Sequence, residues 1–231
     1  MNRQEQKPLA APQLTLRGVA CVRGERCLYR GLSLEARAGA VVRLFGENGA
    51  GKTTLMRIIT GLLEPESGEV LWRGRPIREL GGDYRAELLY IGHMNGLKEE
   101  LSCLENLRVN AALFGRPADE GGCREALRRV GLAGYEDEPA RSLSQGQHRR
   151  AALARLYLSE PVPLWILDEP FTALDPRGVE ALCRLIEAHA ASGGITVMTT
   201  HQASGLSAPG YFEFDVSAFA PGRKGREARH A

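Results

Sequence analysis

Gly46, Glu47, Asn48, Gly49, Ala50, Gly51, Lys52 and Thr53 match the pattern G-x-x-x-x-G-K-[ST]. Three glycines let the backbone turn tightly, so that successive amide N–H groups can point at phosphate oxygens. A helix opening at Gly51 adds the positive end of its dipole. Lys52 is then placed to reach the β- and γ-phosphates of a nucleotide, and the hydroxyl of Thr53, followed by Thr54, to hold Mg²⁺. A second group is Leu164-Trp165-Ile166-Leu167-Asp168-Glu169, an apolar run ending in two carboxylates. Asp168 can face the metal ion and Glu169 can take a proton from an attacking water. Read alone, the two acids could equally end a strand and solvate a turn. Beside a phosphate loop they complete a site for a nucleotide.

Such a site needs strands to hold its loops. Residues 13–17, 32–37 and 40–45 read as strands separated by Gly24, Gly31 and Gly39, the last of them nearly continuous in apolar residues. A helix is predicted from about 51 to 60, closed by Gly61. Residues 70–72, 88–91, 164–167, 195–199 and 212–216 read as further strands. From about 92 to 160 the pattern is helical. Ser102-x-x-Glu105 and Ser144-x-x-Gln147 are capping boxes, the second opening a helix through Leu158. Asp175 is a predicted N-cap, with Pro176 in the first turn and Val179, Leu182 and Ile186 facing inward. Strands alternating with helices imply an α/β core around a mostly parallel sheet, with a helical insertion.

Composition narrows the choice. The chain has 231 residues, 43% hydrophobic, with 30 basic and 28 acidic side chains and a net charge of +2. That balance argues against a nucleic-acid binder and against disorder. No apolar run approaches the ~20 residues of a membrane-spanning helix, and the first residues contain no signal-peptide core. Glycine is abundant, 27 residues or about 12%, where about 7% is usual. Cys21, Cys27, Cys103, Cys123 and Cys183 show no metal or disulfide spacing, so they are expected to be reduced, in a cytosolic setting. Residues 1–12 read as a flexible arm and 221–231 as a basic flexible tail.

Leu143-Ser144-Gln145-Gly146-Gln147 stands about twenty residues before the acidic pair, and this order resembles the ATP-binding-cassette (ABC) family. The resemblance implies a P-loop ATPase core of cassette type over 13–220, with an N-terminal antiparallel β portion and a helical subdomain at about 92–160. It implies that Ser144, Gly146 and Gln147 of one subunit close over ATP held by another, in a homodimer sandwiching two nucleotides. Ala173-Leu174-Asp175 is similar to the family's D-loop, and His201, after an apolar strand and two threonines, to its switch histidine on the γ-phosphate. Lys52, Glu169 and His201 are thus the expected catalytic groups, with ATP and Mg²⁺ as ligands.

Three positions depart from the general family. Gln145 replaces a glycine of the signature. His93 stands where a glutamine usually links the nucleotide site to the helical subdomain; it could hold Mg²⁺ or a bridging water. Arg23 stands where an aromatic usually stacks on adenine; a planar guanidinium can stack too, and a solvated loop charge is the other reading. With these departures, the segments 92–107, 143–156, 164–175 and 194–202 are similar to the ATP-binding subunits of haem exporters in cytochrome c maturation. That similarity spans roughly 14–205. It implies integral membrane partners in such a complex, a peripheral place on the cytoplasmic face of a bacterial inner membrane, and no nucleic acid. Whether haem is the cargo or ATP releases a haem-loaded chaperone stays open, as does a transporter with another cargo.

Overall fold

A computed structural model describes residues 13–159, 162–201 and 205–222. The strands are β1 (Leu14–Arg23), β2 (Arg26–Ala36), β3 (Ala40–Phe45), β4 (Ser67–Trp72), β5 (Arg75–Pro76), β6 (Leu88–Ile91), β7 (Leu164–Asp168), β8 (Ile195–Thr199) and β9 (Gly210–Asp215). The helices are α1 (Lys52–Ile59), α2 (Ile77–Leu80), α3 (Gly82–Ala86), α4 (Cys103–Leu113), α5 (Glu120–Arg129), α6 (Gln145–Leu153) and α7 (Pro176–Ala191). One sheet has the order β2-β1-β4-β5, its strands antiparallel. The other runs β6-β7-β8-β3-β9 and is wholly parallel.

The parallel sheet is covered on both faces, and its strands divide their side chains between two cores. Val42, Leu44, Leu164, Ile166, Ile195 and Val197 pack with α1 and the antiparallel sheet. Val41, Trp165, Leu167 and Met198 point the other way, towards α6 and α7. This is why β3 and β7 read as continuous apolar runs rather than alternating ones. A third cluster, built on Leu104, Leu107, Leu127 and Leu132, belongs to the helices α4 and α5 and their surroundings. Ser102 and Ser144 form the two expected capping boxes, and the Asp175 side chain accepts from the Gly178 N–H at 2.7 Å.

Several boundaries differ from the sequence expectation. β1 and β2 are longer, because the pairing shifts register between Leu16 and Val19 and again near Cys21. Gly18, at φ 59°, sits in that bulge, and the slip breaks the period of two that a strand normally shows. The helix expected through Leu158 ends at Leu153 and tightens into a 3-10 turn, Ala154–Leu158. That turn buries Ala154, Arg155 and Leu156 in succession. The last strand begins and ends earlier than expected, with Asp215 capping a 3-10 turn over Val216–Phe219. All five cysteines are free thiols. The arm over 1–12 and the tail from 223 onward lie outside the described residues.

Candidate functional site

The phosphate loop leaves the C-terminal end of β3 and enters α1. Gly46, Gly49 and Gly51 hold φ values of 140°, 80° and 94°, a region other residues rarely adopt. Space also demands two of them. A Cβ on Gly46 would collide with the Ser217 Oγ, and one on Gly51 would lie 2.9 Å from the Tyr29 ring. Ser217 braces the loop further, accepting from the Glu47 N–H at 2.9 Å. The N-cap residue of α1 offers no side-chain hydrogen bond, so the helix end keeps its free amides. Lys52 folds back over the loop and donates to the carbonyls of Gly46 (2.8 Å) and Glu47 (3.2 Å).

Beneath this loop the ends of β7 and β8 supply the polar floor. Asp168 is buried, 3% exposed, and both of its oxygens accept hydrogen bonds. Thr53 Oγ1 donates to Oδ2 at 3.0 Å and Thr199 Oγ1 to Oδ1 at 2.7 Å. The Thr199 hydroxyl in turn accepts from the Glu169 N–H at 2.9 Å. Glu169 holds a positive φ of 50°. Its carboxylate accepts from the His201 N–H at 3.3 Å and lies 3.5 Å from His201 Nε2. Lys52, Thr53, Thr54, Asp168, Glu169 and His201 thus border one open cleft of about 360 Å³, with Asn48, Gly49 and Gly51 in its wall. His93 stands at the same rim.

Two expected groups do not reach this cleft. Arg23 is exposed at the hairpin turn and pairs in register with Arg26. The wall there is formed by Leu28, and an Arg26 nitrogen lies 3.8 Å from where a Gly49 Cβ would stand. Ser144, Gly146 and Gln147 cap α6 away from the phosphate loop of their own chain. Gly146 lies against the Ala173 carbonyl, which is 3.0 Å from where a Cβ on Gly146 would stand, and Ala173 itself has φ 61°. The signature segment and the segment before α7 are therefore in contact.

Sequence reasoning did not single out Thr199, Ser217, Arg26, Asn95 or Arg149. Arg149 is 5% exposed and donates to four acceptors: Gly92 O (3.0 Å), Asn95 Oδ1 (3.1 Å), Asp168 O (2.7 Å) and Glu169 O (2.9 Å). Burial pulls its pKa below the ordinary guanidinium value, while the charges of Asp168 and Glu169 act against that pull. The available signal was helical periodicity, since Arg149 shares a face with the buried Ala152 and Leu153.

Residues 29–172 match the model of the ABC transporter family. The chain is 54% identical over 190 residues to the cytochrome c biogenesis ATP-binding export protein CcmA of Methylococcus capsulatus, covering 82% of this chain and 91% of that one. It is 48% identical to the protein of the same name in Aromatoleum aromaticum, over 87% and 94% of the two chains. The Escherichia coli K12 protein of that name is 50% identical, over 82% and 89%. Among solved structures, an ATP-binding subunit of an ABC transporter superposes with a TM-score of 0.77 at 28% identity, covering 89% of this chain and 87% of that one. A dimeric ATP-binding cassette bound to ADP and Pi shares the fold, with a TM-score of 0.74 at 24% identity over 88% and 95%. The chain belongs to the ABC transporter family, as an ATP-binding cassette akin to the cytochrome c biogenesis export proteins.

Proposed function

We propose that this chain is the ATP-hydrolysing subunit of a membrane-bound ABC complex serving cytochrome c biogenesis. The observation that carries the chemistry is the run of contacts from Thr53 through Asp168 and Thr199 to Glu169 and His201, set under the phosphate loop. Lys52 and the amides of Gly46, Glu47, Asn48, Gly49, Ala50, Gly51, Thr53 and Thr54 receive the phosphates. The paired hard oxygens of Thr53 and Asp168, 3.0 Å apart at the cleft floor, suit Mg²⁺, and His93 at the rim is the further candidate ligand. Bound there, the ion neutralises negative charge on the phosphate oxygens.

Glu169 takes a proton from the attacking water as its oxygen bonds to the γ-phosphorus and the bond to the β-phosphate oxygen breaks. ADP and phosphate leave. His201, already against the Glu169 carboxylate, orients it and meets the γ-phosphate. Ser144, Gly146 and Gln147 face outward from their own cleft, which fits a second copy supplying them across a homodimer, with 13–220 acting as one cassette. Arg23 is kept as a contact to the base only if the hairpin turn moves when nucleotide binds.

No helix among the described residues is long and apolar enough to cross a membrane. The reading therefore assigns passage to separate integral membrane subunits, with this chain peripheral on the cytoplasmic face of the inner membrane. Haem, or a haem-loaded chaperone, is the cargo class this reading takes; the relatives' names give cytochrome c biogenesis and export. Glu169→Gln tests the chemistry: ATP turnover is lost while ATP binding persists, and retained turnover refutes the assignment. Co-purification with haem-handling membrane subunits tests the setting.

A further inference from the structure

We infer that Arg149 is a positioning residue that locks the Asp168–Glu169 turn and yokes it to the 92–95 segment carrying His93. The inference rests on the reading of Glu169 as the base. Three observations lead to it. The first is the turn itself: Glu169 adopts φ 50°, a conformation that a residue with a side chain holds only when its surroundings impose it. From above, Thr199 and the His201 N–H hold the Glu169 amide and carboxylate. From below, one Arg149 nitrogen, Nη2, binds the carbonyls on both sides of the turn, at 2.7 and 2.9 Å.

The second is the other edge of the same guanidinium. Nη1 donates to the Gly92 carbonyl and to the Asn95 side chain, which flank His93. A guanidinium is a rigid planar fork, so its two edges cannot shift independently. Displacement of the 92–95 segment is therefore passed to the Glu169 backbone, and the reverse. The third is cost. Arg149 lies on the buried face of α6, where an apolar residue would pack without penalty, and its Nε has no hydrogen-bond partner among the described residues. A buried cation is expensive unless several groups satisfy it. Here four acceptors from two separate loops do so. Because α6 begins at the Ser144 capping box, the helix that carries the signature segment also carries the fork.

The test uses the full-length chain, with steady-state ATP turnover and binding of a fluorescent ATP analogue measured for Arg149→Lys, Asn95→Ala and the double variant. Lysine keeps the charge and loses the fork. Arg149→Lys is expected to lower kcat at least about tenfold, as a misplaced reacting group does. The Kd for the analogue should stay within about threefold, since the phosphate loop is untouched. Asn95→Ala should lower kcat about threefold, and should add nothing further in the Arg149→Lys background, because the two share one network.

Wild-type turnover in Arg149→Lys overturns the inference, and so do kcat losses that multiply in the double variant. Equal losses of affinity and kcat also overturn it, since they describe a residue that merely supports the fold. Should Arg149→Lys fail to fold, Asn95→Ala decides alone, and an unchanged kcat refutes the yoke. Glu169→Gln measured in parallel keeps the claims apart. Turnover retained there defeats the reading of Glu169, whereas its loss beside a wild-type-like Arg149→Lys defeats only the yoke.

Discussion

Thr199→Val removes one oxygen from the floor of the cleft and leaves the shape of β8 nearly unchanged. Valine is close to isosteric and, like threonine, suits a strand. The lost hydroxyl makes two bonds, a buried one to the Asp168 carboxylate at 2.7 Å and a partly buried one from the Glu169 N–H at 2.9 Å. A hydrogen bond to a charged group contributes about 1.5–3 kcal/mol and an ordinary one about 0.5–1.5 kcal/mol, so the variant should lose about 2–4.5 kcal/mol of stability. For a chain of this size that corresponds to a fall in Tm of about 4–18 °C. Turnover should fall by at least about tenfold, because the Asp168 carboxylate keeps only its bond from Thr53 and the Glu169 amide loses its partner. Thr199→Ser, which keeps the hydroxyl, should recover most of both. Thermal melting without nucleotide and phosphate release at saturating ATP measure the two effects. A Thr199→Val protein melting within about 1 °C of the natural chain, with turnover within about twofold, would refute the account of this floor.

Gly51→Ala should cost about 1–3 kcal/mol in backbone strain alone, because φ is 94° and the new methyl meets the Tyr29 ring and Leu28. Binding of a fluorescent ATP analogue should weaken at least about tenfold, an amount that about 1.4 kcal/mol of distortion accounts for. His189, stacked on Trp165 with ring centres 3.7 Å apart, has its pKa lowered by burial, against a hydrogen bond to the Val162 carbonyl that raises it. The unfolded chain therefore takes up this proton first as pH falls below about 6.5, and stability declines from there down to the lower folded-state pKa. His189→Gln should flatten the decline of Tm between about pH 7 and 5; an unchanged slope would show that other groups cause it.

What could be read in advance followed from local rules. The phosphate loop, the acid pair at the end of β7 and the N-caps Ser102, Ser144 and Asp175 depend on residues a few positions apart, and each stands where spacing placed it. β1 and β2 were only partly legible, because the bulge at Gly18 moves successive side chains to the same face and erases the period. Arg149 was hidden for another reason. Its partners are mostly backbone carbonyls of remote segments, and a carbonyl has no signature in the letter code. Arg23 illustrates a third limit. Counting along the sequence put it at the position that stacks on adenine, but the turn at Gly24 and Glu25 carries it outward, with Leu28 lining the cleft and Arg26 close to Gly49.

The brace on Gly46 and Glu47 has a consequence for how the molecule is made. The phosphate loop is synthesised early, yet it rests on Ser217, itself held by Asp215 at 2.8 Å, and on β8 and β9, which flank β3. Those supports leave the ribosome well after the loop, Ser217 following Glu47 by 170 residues, so the pairings that shape the loop are long-range. A nascent polypeptide that has not yet reached residue 217 holds the whole glycine-rich motif and still lacks its abutment. Nucleotide binding is thus expected to require the chain as far as Ser217, and not the glycine-rich motif alone.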